Sequence, residues 1–320
     1  MAIRRYGAET TTAEVSAGVD LSGRHALVTG ASGGLGAETA RALAAAGAAV
    51  TLAARDLDKA AGVAEAIRSE VPGAVLDFLE LELDRPESIR TAAKAWLADH
   101  TQLHLLVNNA GVMACPLDHT AENFERQFAT NHFGHFLFTG LLMPVLLHSA
   151  PARVVNLSSA GHRMSPVVFE DIHYRERPYD KWEAYGQSKT ANILFSVALD
   201  RRVSGRGVRA NAVHPGMIMT DLGRHLDADD VKKLMARRPK GSPPQWKTVE
   251  AGAATSVWAA VSADLEGRGG LYLEDCHVAE ERESDEAVEG VSRYALDPDA
   301  AERLWALSEE AVGERFAFAD

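Results

Sequence analysis

Leu27-Val28-Thr29-Gly30-Ala31-Ser32-Gly33-Gly34-Leu35-Gly36 is the stretch whose reading decides the fold: an apolar run turns through glycines into an alanine-rich helical pattern. Glycines let the backbone enter left-handed conformations and approach a pyrophosphate closely. A helix starting near Gly34 points its unpaired N–H groups and positive dipole end at the phosphates, so no basic side chain is needed to hold them. Gly30, Gly34 and Gly36 read as G-x-x-x-G-x-G, and Gly30, Gly33 and Gly36 read equally well as G-x-x-G-x-x-G. Neither is the G-x-G-x-x-G dinucleotide fingerprint, and an ordinary strand-to-helix turn rich in small residues has a similar look.

Working outward, apolar runs alternate with helical patterns through the first two-thirds of the chain, the mark of a parallel sheet covered by helices on both faces. Strands are expected over 25–29, 49–53, 75–81, 103–108, 153–157, 209–214 and 270–273, and helices over 34–46, 57–69, 86–99, 121–148, 185–202, 249–261 and 297–313. The predicted fold is a doubly wound, mostly parallel, Rossmann-like α/β sheet. It forms one domain over 21–320, preceded by a short arm over 1–20 in which Thr11-Thr12-Ala13-Glu14 is a capping box for a surface helix. Right-handed crossovers place the carboxyl ends of the strands along one edge, where such a sheet binds its ligand.

The 320 residues are 46% apolar and 24% charged, and 45 acidic against 33 basic residues give a net charge of −12. That balance argues against nucleic acid or an anionic membrane as the main partner and favours a small molecule. Cys115 and Cys276 lack metal-ligand spacing and suit a reducing, cytoplasmic setting as small buried side chains. The N-terminus carries no signal-peptide core, and the most apolar stretch, 136–147, is too short to span a bilayer.

The candidate chemical residues fall at the strand ends. The second strand ends in Ala54-Arg55-Asp56, with a cation near the place where an NAD site carries an acid for the ribose hydroxyl. This favours NADP(H) over NAD(H); the competing reading pairs Arg55 with Asp56 or Asp58 on the surface. After the fourth strand come Asn108-Asn109-Ala110-Gly111, small and amide-bearing. Asn131 interrupts an apolar helical run, either stitching the core or serving the site. The fifth strand ends in Ser158-Ser159. Tyr185 and Lys189 lie four residues apart on one helical face. Bringing a phenol from about 10 to near 7 takes about 4 kcal/mol, roughly what a cation at about 4 Å supplies at an effective dielectric of 20. Such a lysine makes the phenol a general acid or base at neutral pH.

Taken together, Thr29-Gly30-x-x-x-Gly34-x-Gly36, Asn108-Asn109-Ala110-Gly111, Asn131, Ser159, Tyr185-x-x-x-Lys189 and Pro215-Gly216 followed by Thr220 resemble the short-chain dehydrogenase/reductase family over about 21–273. The Asn-Asn-Ala-Gly segment resembles its compact branch. The stretches Phe169-Glu170-Asp171-Ile172 and Tyr179-Asp180-Lys181-Trp182-Glu183-Ala184-Tyr185 look most like its retinol-dehydrogenase-like group, which includes the oxidoreductase domain of WW-domain oxidoreductase. The resemblance implies an NAD(P)-dependent enzyme acting on CH–OH and C=O groups. Tyr185 would be proton donor or acceptor, Lys189 would bind the nicotinamide ribose and tune Tyr185, Ser159 would hold the substrate oxygen, and Asn131 would anchor a proton-relay water. It further implies that Gly30, Ser32, Gly33, Gly34, Leu35 and Gly36 line the pyrophosphate and that Asn109, Ala110 and Gly111 lie by the cofactor's ribose region. Pro215, Gly216 and Thr220 would lie by the nicotinamide. Where many members place an acid against adenine, Leu81-Glu82-Leu83-Asp84 offers Glu82 or Asp84. A non-catalytic cofactor sensor or scaffold of the same fold is the alternative function, and a homodimer is a candidate assembly. Residues 217–247 read as a substrate lid with Met217, Ile218, Met219, Leu222, Leu226 and Trp246, and 274–320 as a C-terminal extension whose acidic run, 280–289, is a solvated loop.

Overall fold

Ala26, Leu27, Val28 and Thr29 have no exposed surface in β1 (His25–Thr29), the burial of a strand covered on both faces. The computed structural model describes residues 6–224, 226–236, 245–284 and 287–318. A short α1 (Thr12–Ser16) precedes β1, and α2 (Gly34–Ala45), β2 (Ala49–Ala54), α3 (Leu57–Glu70), β3 (Leu76–Glu80), α4 (Pro86–Asp99) and β4 (Leu105–Asn108) follow it. Next come α5 (Arg126–Phe128), a π-turn over Ala129–Phe133, α6 (Gly134–His148), β5 (Ala152–Leu157), α7 (Lys181–Val203) and β6 (Val208–His214). The chain ends through β7 (Met217–Ile218), α8 (Ala228–Ala236), β8 (Trp246–Lys247), α9 (Val249–Val261), β9 (Tyr272–Glu274), β10 (His277–Val278) and α10 (Pro298–Val312).

The main sheet runs β10-β9-β6-β5-β4-β1-β2-β3, and every pairing is parallel except β9 with β10. β1 lies between β2 and β4, with Val28 opposite Leu52 on one side and Val107 on the other. There the chain switches the direction in which it adds strands, which opens a crevice at the strands' carboxyl ends. One apolar core packs α4, α6, α7 and α10 on one face; a second packs α1, α2, α3 and α9 on the other. This is the predicted Rossmann-like fold.

Local chemistry moves several boundaries. The helix expected over 121–148 starts at Arg126, because the Glu125 carboxylate takes the Gln127 and Phe128 N–H groups as its cap. The helix expected from 185 starts at Lys181, where Asp180 caps it through the Trp182 and Glu183 amides. The strand expected from 103 begins at Leu105, since the Leu103 amide is diverted to Ser149 Oγ at 2.9 Å. The last expected strand, 270–273, is Tyr272–Glu274.

The capping box of α1 is present, and the helix lies at the surface with Ala13 and Glu14 exposed and its other face packed inward. Thr12 and Val15 are buried, and the Thr12 hydroxyl bonds Glu38 of α2. The C-terminal extension belongs to the core. α10 packs on α7, and Phe316 folds back so closely over Gly140 that a Cβ there would lie 2.3 Å from its ring.

Candidate active site

The β1–α2 turn is shaped by close approach. Gly30 has φ +67°, and a Cβ on Gly36 would lie 2.3 Å from the Gly30 carbonyl oxygen, so a side chain would force the turn open. Gly33 stands at the N-cap of α2 and no side chain caps it, which leaves the first N–H groups directed into the cleft. Thr29 Oγ1 fixes the neighbouring loop by accepting the Asn109 and Ala110 amides at 2.9 and 3.0 Å. The Asn109 side chain donates to the Thr29 carbonyl at 2.7 Å. The residue expected near a ribose therefore lines the cleft with its amide already committed to the glycine turn.

That cleft has a volume of about 2150 Å³ and runs along the carboxyl ends of the strands. Gly30, Ser32, Gly33, Gly34, Leu35, Gly36, Arg55, Glu82, Asn109, Ala110 and Gly111 line it, as do Ser159, Tyr185, Lys189, Pro215, Gly216 and Thr220. Arg55 is exposed at the end of β2. The expected competitor, Asp56, instead caps α3 through the Lys59 amide and pairs with the Lys59 ammonium at 3.7 Å. Among the described residues, the Arg55 side chain makes no ion pair or hydrogen bond. Both acids after β3 face the cleft, but Asp84 is bound by Arg126, while Glu82 pairs loosely with the exposed Arg85 at 3.4 Å.

Ser159 begins the 3-10 turn Ala160–Met164, its hydroxyl accepting the Gly161 amide at 3.0 Å. Tyr185, on the first turns of α7, packs its ring against Gly161 and lines the cleft together with Ser159. Ser158 lines the cleft as well, but its hydroxyl is committed, donating to the Lys189 carbonyl at 2.8 Å. Lys189 Nζ donates to the Leu157 carbonyl at 3.0 Å and lies 5.6 Å from the Tyr185 ring centre.

The expected phenol near 7 is corrected here. Burial pushes Tyr185 up to about 12, with the Ser159 hydrogen bond working in the opposite direction, and burial brings Lys189 down to about 8. Both side chains are only 4% exposed, and desolvation is the main cause of each shift.

Asn131 is fully buried and does not line the cleft. The π-turn aims its side chain at the loop after β4: Oδ1 accepts the Val112 amide at 2.8 Å, and Nδ2 reaches the Val112 carbonyl and Ser188 Oγ, both at 2.9 Å. A Cβ on Gly111 would lie 3.1 Å from Asn131 Oδ1 and 3.6 Å from Lys189 Nζ, so the two polar residues flank one glycine. The amide thus stitches the core directly behind the site.

On the substrate side, β7 and β8 form a separate parallel ribbon, and Lys181 of α7 ties down α8 through Asp230 at 2.5 Å. Leu222, Leu226, Leu234 and Trp246 line the cleft, with Met219 77% and Trp246 50% exposed. The Gly-Ser-Pro-Pro turn at 241–244 lies outside the described residues. The acidic run is not merely solvated: Val288 and Glu289 line the cleft, and Arg163 holds them by donating to the carbonyls of Val288 and Gly290. Residues 285–286 lie outside the described residues. Thr29 stands in the sequence as the head of the glycine motif, and Arg163, Ser188 and His135 carry no signal there, because single polar residues without periodic spacing make no pattern. Cys115 and Cys276 are buried free thiols, and no described helix is long and apolar enough to cross a membrane.

A turn with an open helix end, a strand-end serine and a Tyr-x-x-x-Lys pair on one cleft define a nucleotide-dependent oxidoreductase site. A family model described as short chain dehydrogenase matches residues 24–231, and the chain belongs to that family. It is 45% identical over 287 residues to the Short-chain dehydrogenase/reductase prx1 of Penicillium rubens, covering 88% of this chain and 83% of that protein. It is 41% identical to Retinol dehydrogenase 12 of Homo sapiens, covering 93% and 89% respectively. The crystal structure of a gluconate 5-dehydrogenase from Burkholderia cenocepacia in complex with NADP and tartrate matches with a TM-score of 0.63 at 25% identity, covering 80% of this chain and 94% of that one. The protein is accordingly a retinol-dehydrogenase-like member of the family, an NAD(P)-dependent oxidoreductase.

Proposed function

We propose that the protein transfers a hydride between NADP(H) and a carbonyl or alcohol carbon of a fairly apolar small molecule, running mainly in the reducing direction with Tyr185 as the acid. The observation that carries this reading is that Ser159, Tyr185 and Lys189 line the same cleft as the glycine turn and the uncapped start of α2. The residues present fit a dinucleotide. Gly30 and Gly36 leave a cradle that a Cβ would fill, the Gly33 end of α2 suits a pyrophosphate, and Arg55 gives a 2′-phosphate a cation without a competing partner among the described residues. When bound, the nicotinamide supplies or accepts the hydride.

The chain's own groups handle the oxygen and its proton. As hydride arrives, a carbonyl oxygen gains negative charge and needs a donor; the Ser159 hydroxyl and the Tyr185 phenol converge to supply two. A phenol that keeps its proton at neutral pH is available to act as the acid. After the proton leaves, Lys189 stabilises the phenolate. At about 6 Å and an effective dielectric of 20 that attraction is about 3 kcal/mol, or about two pH units. With a value of about 8, Lys189 is still mostly protonated at pH 7 and can play this part. Asn131 acts from behind Gly111 by holding the loop against α7.

The exposed Met219 and Trp246 and the apolar wall from α8 support an apolar substrate under a lid over 217–247. The test is a screen of lipophilic aldehydes, ketones and secondary alcohols with NADPH and NADH in parallel. Tyr185→Phe should abolish turnover with NADPH affinity nearly intact, and Arg55→Ala should weaken NADPH while sparing NADH. Equal turnover by Tyr185→Phe would refute the acid–base assignment. Product without deuterium from either face of 4-deuterated NADPH would refute direct hydride transfer.

A further inference from the structure

His135, in the first turn of α6, is 2% exposed, and nothing above gives it a task. Its Nδ1 lies 3.1 Å from the backbone carbonyl oxygen of Asn131, and its Nε2 lies 2.9 Å from Thr29 Oγ1. A carbonyl has no hydrogen to give, so Nδ1 must carry the ring proton, and in the neutral ring Nε2 is then an acceptor. Thr29 Oγ1 already accepts the Asn109 and Ala110 amides, which leaves its one hydrogen to donate. Its alternative acceptor, the Val107 carbonyl, is farther away at 3.5 Å. The donors and acceptors therefore close in a single order: two loop amides to Thr29, Thr29 to His135, His135 to the Asn131 carbonyl.

We propose that His135, fixed as the Nδ1–H tautomer, is a positioning residue that ties the backbone of Asn131, whose side chain flanks Gly111 together with Lys189, to the threonine beneath the glycine turn, so that the proton-transfer end and the nucleotide end of the cleft are held in one register. This rests on the oxidoreductase reading of the site. Burial, which brings the ring down to about 4, keeps it neutral through the physiological range and so preserves the one donor and one acceptor that the arrangement needs. An apolar side chain of similar size would fill the space, take the ring donor from the Asn131 carbonyl and leave the Thr29 hydroxyl only the longer contact to the Val107 carbonyl.

The first test needs neither cofactor nor turnover. In the cofactor-free protein with 15N-labelled histidine, long-range proton–nitrogen correlation spectra should show His135 protonated at Nδ1, unchanged from pH 5.5 to 8. An Nε2–H ring, or titration within that range, overturns the proposal. The second test compares His135→Phe, which drops both bonds, with His135→Gln, which keeps one donor and one acceptor. By tryptophan-fluorescence titration with NADPH, Phe should raise Kd about tenfold and lower kcat by a similar factor, whereas Gln should recover to within about threefold. Folded His135→Phe protein with wild-type Kd and kcat overturns the proposal; if that variant does not fold, the tautomer spectrum and the Gln variant decide. Wild-type protein that binds no NADPH would instead overturn the cofactor reading and leave the tautomer result intact.

Discussion

Lys189→Met should make the protein more stable while removing its activity. Lys189 is brought from 10.5 to about 8 by burial. At about 1.36 kcal/mol per pH unit, keeping the ammonium charged inside the fold costs about 3 kcal/mol below pH 8. The unfolded chain binds the extra proton between pH 8 and 10.5, so this cost is fully present below 8 and fades as pH rises through that window. Methionine has a similar length and needs no solvation. The Leu157 carbonyl, which loses the ammonium, keeps the Asn192 amide at 2.9 Å and is not left unpaired. Allowing about 1 to 2 kcal/mol for the lost charged hydrogen bond, the net gain at pH 7 is about 1 to 2 kcal/mol, worth roughly 2 °C or more in Tm. Differential scanning calorimetry of both proteins from pH 7 to 10 should show a lead for the variant that shrinks as pH rises, alongside at least a hundredfold loss of kcat. A variant less stable than wild type at pH 7, or a lead that does not change with pH, would refute the reasoning that burial strains this lysine.

Gly36→Ala should cripple NADPH binding, read as a Kd raised more than tenfold by fluorescence, because its Cβ would meet the Gly30 carbonyl at 2.3 Å and push the turn apart. Lys181→Met removes the partner of Asp230, frees α8 from α7 and should raise KM for an apolar substrate several-fold in steady-state assays while Kd for NADPH holds. Phe316→Ala empties the site over Gly140 and should cost about 2 to 4 kcal/mol in urea unfolding, with kcat per folded molecule unchanged. Glu82→Gln should weaken NADPH binding and Asp84→Asn should not, since Asp84 is engaged by Arg126 and Glu82 faces the cleft with only an exposed partner.

What was legible in the sequence was what repeats or follows a backbone requirement. Buried parallel strands need unbroken apolar runs, so Leu27-Val28 and Leu106-Val107 declared the sheet, and glycines at 30, 34 and 36 declared a turn that only they can make. The helix start at Lys181 is also written in the chain, as Asp180 in N-cap position. The energetics of the site were much less legible. Spacing brought Tyr185 and Lys189 onto one helical face but could not convey that both would be buried, or that the ammonium would turn to the Leu157 carbonyl. The result is a phenol held as an acid near 12 rather than poised near 7. Long-range closures were hidden for a related reason. Arg163 reaches the Gly290 backbone carbonyl and Thr29 reaches His135 across more than a hundred residues, and each pairing has meaning only once the fold sets its two ends side by side. The same logic explains why Asn131 was ambiguous: an amide that locks Val112 to Ser188 a short step from Lys189 is both core and site, because in this fold the wall of the cleft is the edge of the core.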